Sequence, residues 1–221
     1  MSNPLKINWR TEWFSAGLLI LSIFLGVYFY QHFPAAVPIH WNWQGEVDSY
    51  GSAAFGAFLL PSVMLVMYLL FLVLPYFDPK KERYADFAEA YHNFKDLLII
   101  FFFSIFWLTG LAGLGYDINI NLALPIILGL MFVGLGSLLR KIKMNWFLGI
   151  RTPWTLSSEE VWNKTHQVAG PVFMGMGLLM ILASFIEPRL RIILFILAIG
   201  APVIGLPFYS YILFRQEKNK K

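Results

Sequence analysis

The sequence predicts an all-α, polytopic membrane protein with six transmembrane helices. Of its 221 residues, 58% are hydrophobic and only 14% are charged, well below the charged share of a soluble domain. Six stretches of about 18 to 25 apolar residues are each long enough to cross a bilayer as a helix. Each stretch lacks Asp, Glu, Lys, Arg and His, and none alternates with the period of two that is typical of a membrane barrel. Because lipid offers the backbone no hydrogen-bond partners, such continuous apolar stretches imply helices.

The six stretches divide the chain into two regions. The predicted spans are Trp13–Tyr30, Ala53–Phe77, Leu97–Tyr116, Leu122–Leu139, Val168–Ile186 and Ile192–Phe214. The first two spans belong to an N-terminal region, residues 1–94, which has an extracellular loop at 31–52 and a cytoplasmic loop at 78–94. The other four spans belong to a C-terminal region, residues 95–221, which has a cytoplasmic loop at 140–167.

These sides of the membrane follow from the basic residues. With the N-terminus in the cytoplasm, Arg189 and Arg191 are the only outer residues among the 17 lysines and arginines. The positive-inside rule therefore places both termini in the cytoplasm. The basic residues are scattered among short loops, so the net charge of +4 does not indicate direct binding of nucleic acid. The absence of cysteine excludes disulfides, thiolate metal sites and thiol nucleophiles.

The loop between the first two spans contains VPIHWNWQGEVDSYG, Val37–Gly51. Gly45 can adopt a positive φ, so the loop is predicted to turn there. We expect a compact, hairpin-like loop held by side-chain hydrogen bonds from Asn42 and Asp48 to nearby backbone groups. His40 and Asp48 carry atoms that can bind metal, but their spacing matches no standard zinc signature. No metal is expected.

The connector between the fourth and fifth spans, NWFLGIRTPWTLSSEEVWNKTH, contains a helix start. Ser157 and Glu160 have the S-x-x-E spacing of a capping box, so a helix is predicted from Ser157 through His166. Trp162 lies on the apolar stripe of this helix. We therefore expect the helix to lie along the inner membrane surface with Trp162 at the headgroup level.

Arg151 lies beside Pro153 and close to Trp154. Its guanidinium group is suited to a carboxylate, a phosphate or the exposed carbonyl groups of a helix end. The simplest interpretation is an interfacial anchor, with tryptophans at the headgroups and Arg151 on lipid phosphate. The alternative is a specific contact surface, because a loop that only joins two spans does not need so many specialised residues.

The segment FLGIRTPWTLSSEEVWNKTH, together with LGYDININ at Leu114–Asn121, resembles the signature of the SdpI family of bacterial membrane immunity proteins. The N-terminal half is similar to a domain of unknown function often found ahead of that family, with a P-x-H-W-N-x-x-G-x-x-D loop. The family motif falls on Gly149, Ile150, Arg151, Thr152, Pro153, Trp154, Thr155, Leu156, Val161 and Trp162. The resemblance implies protection of a producing cell from its own secreted peptide toxin. Some members of that family also hold a transcriptional repressor at the membrane, so the resemblance implies this second role as well.

The predicted function is therefore that of a multi-pass immunity protein in the bacterial cell membrane. Its expected partners are a peptide toxin outside, a repressor inside and membrane lipids, with no cofactor. The candidate binding residues are Arg151, Thr152, Pro153, Trp154, Thr155 and Trp162 in the inner loop, and His40, Asn42, Gly45 and Asp48 in the outer loop. Whether the inner motif is a contact surface or a structural lock is open at this point.

The sequence also bears on two other classes of function. An enzyme is not expected, because neither loop places a nucleophile beside a base. The alternative function is a small-solute transporter or channel without ion coupling, since coupled carriers usually place ionisable residues within the membrane.

Overall fold

The computed structural model describes Leu5 and residues 7–220. Lys6 and Lys221, which the orientation prediction counts as cytoplasmic, lie outside the described residues. The elements are α1 Trp9–His32, β1 Ala36–Trp41, β2 Val47–Ser52, α2 Ala53–Phe77, a 3₁₀ helix Lys81–Phe87, α3 Ala88–Gly113, α4 Ile120–Leu139, α5 Pro153–Ser157, α6 Glu159–Ala183 and α7 Pro188–Lys218.

Six helices within the described part of the chain, α1, α2, α3, α4, α6 and α7, are long and apolar enough to cross a membrane. The predicted six-helix membrane class is confirmed. Several helices extend beyond the predicted apolar spans, because a helix can continue outside the bilayer where its terminal backbone groups find hydrogen-bond partners. α1 begins at Trp9 and α3 at Ala88, so both contain ionisable residues that the predicted apolar spans lack.

The helices pack as two groups of three. α1, α2 and α3 pack against one another, α6 packs against α4 and α7, and the two groups meet where α3 contacts α4. The closest helix pair is α4 with α6, where glycines of both helices face each other. A Cβ atom added to Gly129 would lie 2.6 Å from the carbonyl oxygen of Gly177. Small residues thus allow these two backbones to approach, as is common between membrane helices.

The bundle has two distinct ends. The hairpin end contains β1 and β2 together with the α3–α4 and α6–α7 connections, residues 114–119 and 184–187. The terminal end contains the start of α1, the end of α7, the α2–α3 connection and residues 140–158. Which end faces the cytoplasm remains a prediction from the basic residues.

Candidate functional sites at the two ends of the bundle

The loop at the hairpin end is a two-stranded antiparallel hairpin. Ala36 pairs with Ser52, and Trp41 pairs with Val47. Gly45 lies in the turn with a φ of 84°, a conformation in which a side chain would be strained. The predicted hairpin-like loop and its turn at Gly45 are confirmed.

Asn42 and Asp48 hold the hairpin in different ways. The Oδ1 atom of Asn42 accepts hydrogen bonds from the backbone N–H groups of Gln44 at 2.9 Å and Glu46 at 3.0 Å, as expected for an Asx turn. The carboxylate of Asp48 instead lies 2.6 Å from Nδ1 of His40. The prediction for Asn42 is confirmed, and that for Asp48 is wrong because its side chain reaches across to the facing strand.

The His40–Asp48 pair is open to its surroundings, with 67% and 42% of the two side chains exposed. Such an exposed pair adds little to stability. Among the described residues, no group of three or more His, Asp or Glu side chains converges as a metal site would require.

The turn of the hairpin is tied to two helices. Asn121, at the start of α4, donates a side-chain hydrogen bond to the backbone carbonyl of Gln44. Arg191, near the start of α7, donates from Nη1 to the backbone carbonyl of Asn121 at 2.7 Å. Between the hairpin and helices α3, α4 and α7 lies a cavity of about 710 Å³, which we call the hairpin-end cleft. Nothing in the local sequence pattern places Arg191 beside the hairpin.

At the terminal end, the loop before the motif is shaped by Asn145, which has an exposed fraction of 0%. Its Oδ1 atom accepts from the N–H groups of Phe147 at 2.8 Å and Leu148 at 2.7 Å. Its Nδ2 atom donates to the carbonyl of Lys143 at 2.8 Å. These bonds satisfy backbone groups that a buried irregular loop would otherwise leave unpaired.

Gly149, Trp162 and His166 meet directly behind this loop. Gly149 has a φ of 105°, and the following Ile150 N–H donates to Nε2 of His166 at 3.0 Å. Since Nε2 accepts, the ring proton is assigned to Nδ1, which lies 2.8 Å from the carbonyl of Trp162. The imidazole is therefore neutral and stacks on the indole of Trp162, with ring centroids 4.1 Å apart.

The Thr-Pro-Trp-Thr part of the motif forms the short helix α5. Thr152 and Thr155 make a reciprocal capping box, in which each side-chain oxygen accepts from the backbone N–H of the other residue, at 3.1 and 2.9 Å. Pro153 occupies the first helical position, where its missing N–H costs nothing. The hydroxyl of Thr152 also lies 3.0 Å from that of Ser210, which links α5 to α7.

The predicted helix start at Ser157 is wrong: the N-cap is the next residue, and Ser157 itself belongs to the preceding helix. Ser157 is the last residue of α5, and its hydroxyl donates to the carbonyl of Pro153 at 2.5 Å. Ser158 is the N-cap of α6, accepting from the N–H of Val161 at 3.3 Å. Because α5 already occupies residues 153–157, the neighbouring serine takes the capping role.

The predicted surface helix is also wrong. α6 runs without a break from Glu159 to Ala183 through Pro171, so the inner helix and the fifth span are one helix. Trp162 has an exposed fraction of 0%, and its Nε1 donates to the carbonyl of Ile142 at 3.0 Å. The apolar stripe of α6 packs against the connector, residues 140–152, rather than against lipid headgroups.

Arg151 and Trp154 lie at the edge of this cluster. Arg151 is exposed, and its Nη1 donates to the carbonyl of Trp146 at 2.7 Å. Trp154 is half-buried against Tyr211, with ring centroids 5.1 Å apart. The structure thus brings the six predicted motif residues together at the terminal end, while the four predicted hairpin residues lie at the opposite end.

Asp78 and Arg83 also hold the terminal end, although the sequence pattern does not single them out. The carboxylate of buried Asp78 accepts from the N–H of Trp146 at 2.9 Å and the hydroxyl of Tyr84 at 2.8 Å. Arg83 makes two hydrogen bonds to the Glu159 carboxylate, at 2.7 and 2.8 Å, the strong bidentate form of such pairs. Asp78 and Trp146 are 68 residues apart, and Arg83 and Glu159 are 76 residues apart, so local spacing contains no signal for these two contacts.

A buried charge cluster lies at the same end, between α1 and α3. Lys95, with an exposed fraction of 1%, donates to the Glu12 carboxylate at 2.6 Å. Asp96 accepts from the hydroxyl of Ser15 at 2.5 Å. Oε1 of Glu12 and Nδ1 of His92 lie 3.5 Å apart and have no hydrogen-bond partner within the described residues. Because these ionisable residues lie outside the apolar spans, hydropathy alone does not reveal the cluster.

The fold and the two ends define a class: a six-helix membrane protein, capped by a hairpin at one end and closed by a hydrogen-bonded connector at the other. Residues 141–210 match the model of the SdpI/YfhL protein family, and residues 17–65 match a domain of unknown function, DUF1648. Through these matches the resemblance to the SdpI family seen in the sequence is confirmed, as is the predicted location in the plasma membrane.

Two known proteins are similar over long stretches. Immunity protein SdpI from Bacillus subtilis (strain 168) is 28% identical over 204 residues, covering 92% of this chain and 96% of the relative. ABC transporter G family member 21 from Dictyostelium discoideum is 30% identical over 159 residues, covering 64% of this chain but only 10% of the transporter. No solved structure matches.

Proposed function

We propose that this chain is an integral membrane immunity protein that protects the cell that makes it from a secreted antimicrobial peptide toxin. The observation that carries this proposal is the match to immunity protein SdpI, which covers 92% of this chain and 96% of the relative. This match runs over nearly the whole length of both sequences rather than over one shared segment. The 10% coverage of the Dictyostelium transporter lends no such support to transport.

The toxin-facing surface belongs at the hairpin end. With the termini in the cytoplasm, a peptide arriving from outside meets the hairpin first. His40, Asn42, Gly45 and Asp48 form this surface: Gly45 and Asn42 fix the turn, and the exposed His40–Asp48 pair presents polar groups. Binding of this kind needs no catalytic group.

The inner motif acts as a structural lock. Thr152, Thr155 and Trp162 direct their polar groups to partners within the protein, while Pro153 and Trp154 set and pack α5. Arg151 differs, because its side chain remains exposed beside exposed Trp146. A cytoplasmic repressor, if this chain binds one, docks at Arg151 and Trp146.

The immunity function is tested by survival. The chain is expressed in a toxin-sensitive bacterium that lacks its own immunity protein, and the cells are exposed to a panel of secreted membrane-active peptides. We expect survival against at least one peptide, compared with cells that carry the empty vector. Unchanged killing across the panel at verified membrane abundance, together with solute flux in vesicles, would instead support the transporter or channel.

A further inference from the structure

The hairpin-end cleft is mostly apolar and has the size of a ligand site. Its volume of about 710 Å³ lies within the range of roughly 300–1,000 Å³ typical of binding pockets. Its walls include Trp41 and Trp43 from the hairpin, Leu108 from α3, Leu124 from α4, and Ile192 and Phe195 from α7. The hairpin therefore forms one wall of the cleft, and the apolar faces of α3, α4 and α7 form the others.

Arg191 is the cation of this cleft. It lines the cavity with an exposed fraction of 6%, and the one hydrogen bond of its side chain within the described residues goes to the carbonyl of Asn121. Its guanidinium group forms no ion pair with any carboxylate of the described chain. Asp48 also lines the cleft, but its carboxylate is paired with His40.

A buried cation without a counter-charge is costly, since the desolvation of the ion is not offset. The planar guanidinium group has five N–H donors in a fork that matches a carboxylate, and the bond to Asn121 uses one side of it. The cleft therefore combines a large apolar surface with a guanidinium group that has no carboxylate within ion-pair distance among the described residues, which calls for a ligand that is apolar but has one anionic group.

We infer that the hairpin-end cleft binds an apolar peptide segment that bears a carboxylate, with the carboxylate paired to Arg191 and the apolar side chains against Leu108, Leu124 and Phe195. This inference rests on the proposed function, since it names the part of the molecule that receives the toxin. A peptide fits better than a lipid because the hairpin supplies strand edges, and an extended peptide can add its own backbone hydrogen bonds to a strand edge.

The first test measures binding to the purified protein in phosphatidylcholine nanodiscs by calorimetry. The probes are N-acetyl-Leu-Phe-Leu-Phe with a free C-terminal carboxylate and the same peptide as its carboxamide. We expect the carboxylate form to bind about ten-fold more tightly or better, as for a hydrogen bond to a charged group. Arg191→Met removes this preference, whereas the matched change Arg189→Met, at an exposed arginine of the same helix, preserves it.

A second pair of variants keeps the inference falsifiable if Arg191→Met does not fold. Leu124→Trp fills the cleft from α4 and should abolish binding of both probes. Leu130→Trp adds the same bulk to α4 at a side chain that is exposed in the bundle and should leave binding unchanged. Equal affinity of the two probes for the wild-type protein, or equal effects of the two tryptophan variants, overturns the inference.

Lipid is the other source of an anionic group. If phosphatidylglycerol in the nanodiscs blocks the carboxylate probe only in protein that retains Arg191, the cleft is a lipid site and the peptide inference fails. Survival separates the inference from the proposed function. Full protection by Arg191→Met leaves the function standing without this site, and probe binding by a chain that gives no protection leaves the site without the function.

Discussion

Gly149, Trp162 and His166 show how single residues hold the terminal end together. The positive φ of Gly149 turns the chain so that the next N–H group reaches the imidazole of His166. The imidazole stacks on Trp162, whose indole N–H in turn binds the connector at Ile142. Each of these residues depends on the other two for its hydrogen bonds or its packing.

Gly149→Ala should therefore lower the stability of the folded protein. An L-residue in the left-handed region costs about 1–2 kcal/mol, and the added Cβ would press against Nε2 of His166. Thermal unfolding in detergent should show a lower midpoint than for wild type. The control is Gly175→Ala in α6, where a Cβ would meet no atom within 4 Å and alanine favours the helix. Equal midpoints for the two variants would contradict the proposed role of Gly149.

Single residues could be predicted from sequence where their partners are local. Asn42 and Gly45 shape a turn of a few residues, so their roles follow from residue type and spacing. Ser157 and Ser158 are adjacent, and the choice between them depends on where α5 ends, which the S-x-x-E pattern does not report. Asp78 and Trp146 are separated by 68 residues, and only the packed fold brings them together.

At the scale of elements, hydropathy identified six helices but not how far each helix extends beyond its apolar span. α1 and α3 both continue past their apolar spans at the terminal end, and there Glu12, His92, Lys95 and Asp96 are packed between them. The lack of ionisable residues in the apolar spans is therefore not by itself an argument against ion coupling, because α1 and α3 do contain such residues. The cluster lies in the first turns of the two helices, however, and its one buried lysine is already paired with Glu12.

Lys95→Met tests whether this pair holds α1 against α3. Removal of one partner leaves the Glu12 carboxylate buried without its counter-charge, which typically costs about 3–5 kcal/mol. Unfolding in detergent should show a large loss of stability. The double variant Glu12→Gln/Lys95→Met should recover part of it, because the two changes are coupled.

The matched control for this pair is Lys164→Met. Lys164 pairs with Glu160 four residues earlier on α6, and both side chains are about half exposed. Loss of such a surface pair should cost only a few tenths of a kcal/mol. If Lys95→Met cost no more than Lys164→Met, or if its effect and that of Glu12→Gln simply added, the pair would not stabilise the packing of α1 on α3.

At the scale of the whole molecule, the two ends differ in what they leave exposed. The terminal end is closed by bonds that link α1 to α3, the α2–α3 connection to α6, and α5 to α7. The hairpin end retains an open cleft beneath the strands. A molecule closed at one end and open at the other is suited to binding at the open end, so its role depends on which end faces outward.

Cysteine labelling in whole cells decides this orientation. The chain contains no cysteine, so Gln44→Cys and Asn163→Cys each introduce a single thiol. Both side chains are exposed, one at the hairpin and one on the first turns of α6, so burial does not limit either reaction. Because the basic residues place the termini inside, a membrane-impermeant thiol reagent should label Gln44→Cys in intact cells. It should label Asn163→Cys only after permeabilisation. Labelling in the opposite pattern would show that the hairpin-end cleft faces the cytoplasm, where a toxin arriving from outside could not reach it.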